Sequence, residues 1–174
     1  MPEKLIPEHI DPFRFAEQNL QLEGIVKIAD MERLNSNLSS NNDIVVVNMQ
    51  FGIDEQGTTF LKGRLETKLS LLCQRCMEPF VYEIMSDFML GVVKTLDEAN
   101  ALPEPYEPVL AKEGELALRE LIEDELILNL PIIPRHEFEE CKVKLPLTDS
   151  GWEQGKSENP FSVLESLKHK RKAD

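Results

Sequence analysis

No apolar run in this sequence approaches the roughly 18 residues that a membrane-crossing helix needs, which excludes a helical membrane protein. The opening MPEKLIPEHIDPF has neither a basic patch nor an apolar core, so no signal peptide is expected and a cytoplasmic protein is. Cysteine is scarce, and three is an odd, low count that does not build a disulfide scaffold. The chain has no glycine-rich phosphate loop, no Ser/His/Asp order, no zinc-hydrolase signature and no internal repeat. Positive charge is short as well: 19 Lys and Arg face 32 Asp and Glu, giving −13 and a pI near 4.7. A surface this acidic repels a phosphate backbone and does not bind nucleic acid as a whole.

What is present reads as a folded, soluble chain. Hydrophobic content of 41% with charged content of 29% separates it from disordered sequences, and 174 residues suit one domain plus tails. The clearest pattern lies around Cys73-Gln74-Arg75-Cys76. Before it, Leu65, Thr67, Leu69 and Leu71 share one face; after it, Phe80, Tyr82, Ile84, Ser86, Phe88 and Leu90 do. Period-2 alternation of that length predicts two half-buried antiparallel strands, with the cysteines in the loop between them.

Elsewhere, Asp11-Pro12 predicts a helix start with its cap, and Leu20 to Val26 alternate as a strand. Asp30 to Leu34 suggests a second short helix. Ile44 to Ile53 is a β-branched strand, closed by the turn Asp54-Glu55-Gln56-Gly57. Thr95 to Glu107, with Pro103 and Pro105, reads as an irregular connection. The best helix spans Glu115 to Leu130, after Gly114 and before Pro131. Its Glu123-Asp124-Glu125 run does not converge as a catalytic pair, because adjacent residues point different ways around a helix; a solvated face is expected. The fold class is therefore α+β: a mostly antiparallel sheet with one substantial helix and short flanking helices over residues 1–144. A linker at 145–158 and a short helix with a flexible basic tail at 159–174 complete it.

CQRC followed by Pro79-Phe80, ALPEPYEP at 101–108, IEDELILNLPIIPRH at 122–136 with Cys141, and the closing NPFSVLESLK together resemble the YceD family of large ribosomal RNA subunit accumulation proteins. The likeness covers most of the chain in the family's order. It implies a role in synthesis, processing or stability of the 23S ribosomal RNA, and brings no catalytic residue.

Three readings stand for the thiols. Cys73, Cys76 and Cys141 with His136 make an ordinary ligand set for structural zinc, although H-x4-C is an unusual second half. Cys73 and Cys76 can equally be small residues packed at a strand end. A redox pair, as in a thiol oxidoreductase or an RNA-processing enzyme, is the third; the helix that opens after a thioredoxin-like CxxC is missing here.

In the tail, Asn159 and Pro160 start a short helix whose Phe161, Leu164 and Leu167 suit an apolar groove on a partner. Lys168, Lys170, Arg171 and Lys172 would then meet phosphate on a large-subunit RNA precursor; the alternative is a terminal helix packed on its own domain. From Lys168 onward the charge is +3, so of the total −13 the first 167 residues carry −16. Such a body steers towards a basic ribosomal or assembly protein.

Overall fold

The computed structural model describes residues 4–36, 38–40 and 42–143. In chain order its elements are β1 (His9–Ile10), α1 (Pro12–Glu17), β2 (Gln21–Lys27), α2 (Glu32–Asn35), β3 (Ile44–Ile53), β4 (Thr59–Leu72), β5 (Pro79–Val93), α3 (Leu96–Asn100), β6 (Glu107–Leu110), β7 (Leu116–Ala117) and α4 (Leu118–Leu128). The chain divides into two units after Lys142, and all of these elements lie in the first. The expected linker at 145–158 and the terminal helix and tail at 159–174 lie outside the described residues.

Five strands make one sheet in the order β2-β3-β4-β5-β6, antiparallel except for the parallel pair β5–β6. The pattern that makes it is alternation. Leu61, Leu65, Leu69 and Leu71 of β4 are buried, as are Val45, Val47, Met49 and Phe51 of β3. Their neighbours Lys62, Arg64, Glu66 and Lys68 face out, where Arg64 pairs with Asp87 and Lys68 with Glu83 across the strands. One face is thus apolar and must be covered.

Short helices do the covering. The Asp11 carboxylate accepts the Arg14 N–H at 3.0 Å and Pro12 takes the first helical position, so α1 starts where the sequence expects. Its Phe15 meets Phe51 edge to face at 5.2 Å. In α4, Leu118, Ile122 and Leu126 recur every fourth residue and are fully buried in the same core as the strands. The Asn129 side chain then bonds Ser86 Oγ of β5 at 3.0 Å, which fixes where the chain leaves this helix. No helix among the described residues is long and apolar enough to cross a membrane.

Three expectations are corrected here. The stretch Thr95 to Glu107 is not wholly irregular: Thr95 caps α3 through the Glu98 N–H at 3.2 Å. The best helix begins at Leu118 rather than Glu115, because Leu116-Ala117 pair with His9-Ile10 as a two-stranded sheet. Lastly, Glu123-Asp124-Glu125 is not a solvated face throughout. Glu123 is only 6% exposed.

Its burial has a clear physical account. Helix α2 has four residues and no side-chain cap of its own. Glu123 Oε1 supplies one from α4, accepting the backbone N–H groups of Arg33 at 2.7 Å and Leu34 at 3.0 Å. Arg33 Nε and Nη2 close on Oε2 at 3.0 and 2.9 Å. Burial opposes ionisation of this carboxyl, yet the Leu34 and Arg33 N–H groups and the guanidinium outweigh it and hold the pKa below its ordinary value. Arg33 is half-exposed, so solvent screens the ion pair and the two backbone bonds carry more of the stabilisation.

Glu123→Gln is therefore expected to lower unfolding free energy by about 2 kcal/mol at neutral pH, the scale of hydrogen bonds to a charged group. A carboxyl with a depressed folded pKa stabilises fully above its unfolded pKa and loses that contribution as pH falls through the folded one. Denaturant titrations of the two proteins should thus differ most near pH 7 and converge in acid below the carboxylate range.

Candidate metal centre

The β4–β5 hairpin sets the site. Side chains at odd positions of β4 point inward, and Cys73, one residue past the strand, continues that series and is fully buried. The loop that follows is tightly closed: Cys73 N–H donates to the Glu78 carbonyl at 2.9 Å, and Met77 N–H to the Cys73 carbonyl at 2.8 Å. Met77 accepts a left-handed backbone, φ +59°, to complete the reversal. Cys76 is left half-buried on the same side of the loop as Cys73.

The remaining donors come from the segment after α4. Pro131 and Pro134 keep it extended, and its only regular feature is a turn in which Glu140 and Cys141 N–H groups bond the Glu137 carbonyl, each at 3.2 Å. The hairpin loop holds it from several directions. Gln74 N–H donates to the Pro134 carbonyl at 2.9 Å, the Phe80 ring lies 5.0 Å from the His136 ring, and Lys142 pairs with Glu78.

The outcome is a cluster. One ligand atom from each of Cys73, Cys76, His136 and Cys141 lies within 4.8 Å of all the others. Cys76 Sγ and His136 Nδ1 are 3.4 Å apart. A tetrahedral ion with thiolates at about 2.3 Å has sulfur–sulfur edges of about 3.8 Å. The four donors thus need only a small inward movement to enclose an ion, and the cluster can hold one. All four positions of a tetrahedron would be protein donors, which leaves no place for water or substrate.

The electrostatics agree with metal chemistry. Burial alone would raise the Cys73 thiol, but backbone N–H groups of His136, Cys76 and Arg75 converge on its sulfur and bring its pKa down to about 5. Cys76 goes the other way. Its burial and the neighbouring Cys73 and Cys141 sulfurs raise it, against a single favourable N–H from Glu78. Several thiolates at such distances repel one another, and a divalent cation among them removes the repulsion.

Sequence reading named these four residues but set aside no role for Arg75, Glu78 or Lys142, which tie the two segments together. The signal was the spacing: Arg75 sits inside the CxxC loop and Lys142 directly follows Cys141. The other candidates, Asn159, Pro160, Phe161, Leu164, Leu167, Lys168, Lys170, Arg171 and Lys172, lie outside the described residues.

Comparison with known proteins adds the following. Residues 61–168 match the family described as "Large ribosomal RNA subunit accumulation protein YceD". A Haemophilus influenzae protein of that name is 36% identical over 169 residues, spanning 95% of this chain and 97% of the relative. No solved structure matches.

Cys141→Ser should loosen the hold on the 134–142 segment. Trypsin cleavage after Arg135 and Lys142 is expected to accelerate on the order of tenfold, the effect of about 1.4 kcal/mol on local opening. Cleavage after Arg119, inside α4, should be unchanged when fragments are followed by mass spectrometry.

Proposed function

Since the chain belongs to the YceD family, we propose that it promotes accumulation of the 23S ribosomal RNA as a non-enzymatic factor, by binding a precursor particle or a basic protein on it. The observation that carries the non-enzymatic part is the closure of the donor cluster. Three thiols and one imidazole lie close enough together to complete a tetrahedral ion's coordination from the protein alone, the arrangement of structural rather than catalytic zinc sites. Zinc is the ion this donor set suits, and its part is to fasten the segment after α4 to the hairpin loop.

Thiol chemistry is the competing reading, and the depressed pKa of Cys73 is a feature that it would need. Burial argues against it. The Cys73 side chain is fully enclosed, whereas a reactive thiolate must meet its partner.

Recognition divides between two surfaces of opposite sign. The acidic first 167 residues, which carry −16 against +3 from Lys168 onward, steer towards basic ribosomal or assembly proteins. The +3 segment from Lys168 meets RNA phosphate, with Phe161, Leu164 and Leu167 docking in an apolar groove of the partner.

Three measurements test this. Metal analysis of the purified protein should give about one zinc per chain, lost in Cys73→Ser and Cys141→Ser; a metal-free protein with freely titrating thiols would favour the redox reading. In cells, ultraviolet crosslinking should join the intact protein to large-subunit precursor RNA, and a chain ending at Glu158 should lose that crosslink. Retention of a basic ribosomal protein by the shortened chain at low salt would assign that contact to the acidic body. RNA crosslinks undiminished by the truncation would rule out the tail as the RNA contact.

A further inference from the structure

A closed site with three thiolates, one imidazole and a divalent ion carries a net charge of −1, and two of its cysteines are buried. Something must offset that charge and hold the ligands that arrive from the irregular segment. The side chain placed to do both is Arg75, within the CxxC loop itself. Its Nε lies 2.9 Å from Cys141 Sγ, and its Nη2 donates to the His136 carbonyl at 3.4 Å. Its guanidinium carbon sits 5.4 Å from the centre of the Phe138 ring. Three contacts along 136–141 thus orient one planar group.

We propose that Arg75 is the positioning residue of this metal centre, donating an N–H···S hydrogen bond that aims the Cys141 thiolate at the ion and neutralises the net charge of the loaded site. The inference rests on the zinc reading above and goes beyond it. The physical case is the shape of guanidinium. Its donors lie in one rigid plane, so the Nε–H bond to sulfur and the Nη2 bond to the His136 carbonyl form together. A lysine ammonium supplies charge at that place without the paired geometry. Hydrogen bonds to ligating atoms from outside the ligand set tune metal sites strongly, and their loss typically weakens affinity by about 10–100-fold. Lys142, which follows Cys141, does not serve, because its ammonium is committed to Glu78.

Cobalt(II) in the full-length protein reads this directly, since its ligand-field bands report tetrahedral geometry and its sulfur-to-cobalt charge-transfer band reports the thiolates. An N–H bond stabilises sulfur lone pairs and so raises the energy of that transition. In Arg75→Met the charge-transfer band is expected at longer wavelength, the ligand-field bands unchanged, and affinity about 10–100-fold weaker in chelator competition. Arg75→Lys, which keeps the charge and a donor but cannot bridge sulfur and the His136 carbonyl with one plane, should show a smaller band movement and a smaller loss of affinity. Arg64→Ala, which removes a guanidinium paired with Asp87 on the sheet and no contact to the cluster, should leave the band in place. If Arg75→Met fails to fold, Arg75→Leu, which likewise removes both the charge and the N–H donors, decides by whether its band moves. Wild-type spectra and affinity in Arg75→Met, or in Arg75→Leu where that is the variant that folds, would overturn the proposal and leave the zinc reading standing. A wild-type protein that takes up no cobalt would remove the zinc reading itself, and this inference with it.

Discussion

The register of the β4–β5 hairpin is the constraint on which the rest depends. Its ladder runs from Phe60 opposite Gly91 to Leu72 opposite Pro79, and only one face of it is apolar. A slip by one residue would move Leu61, Leu65, Leu69 and Leu71 into water together. Burying one such side chain is worth about 1.5–3 kcal/mol, so four of them exclude the slipped pairing. That same parity carries past the end of β4 and turns Cys73 inward. The position of the first thiol is therefore a by-product of the core.

How much of this could be read from residues alone follows from the range of each interaction. Alternation is local, so the strands and the loop between Cys73 and Cys76 were legible, as was the cap at Asp11 with Pro12 behind it. The parallel return of β6 beside β5 was not, because four residues with two exposed faces show no period. The pairing of His9-Ile10 with Leu116-Ala117 spans most of the chain and leaves no local trace. His136 and Cys141 were legible as candidate ligands by residue type. Their approach to the loop was not, because it depends on where α4 ends, and that is set by Asn129 on Ser86. Glu123 shows the limit most clearly. Its neighbours and its helix resemble a solvated acidic run, and only the uncapped N–H groups of a helix ninety positions away explain its burial.

The geometry that keeps Glu123, Asp124 and Glu125 from converging also explains the buried carboxylate. Successive residues on a helix are rotated by about 100°, so carboxylates that cannot converge can be given different surroundings. Glu123 turns towards α2 while Asp124 stays exposed and takes the other arm of Arg33. Divergence rules out acid–base partnership and, by the same geometry, permits a structural clamp.

Glu123 with Arg33, and the thiol cluster with Arg75, are two instances of one solution. In each, an anion taken out of water is surrounded by backbone N–H groups and faced by a guanidinium, and in each it holds a segment too short or too irregular to hold itself. Helix α2 has four residues, below what nucleation supports in water. The 134–142 segment has no ladder or helix at all. The apolar core reaches α2 through Leu34 but leaves the N–H groups at the start of that helix, and the 134–142 segment, to polar attachment. Polar attachment of this kind is directional: it fixes where Cys141 and Lys142 lie against the hairpin loop.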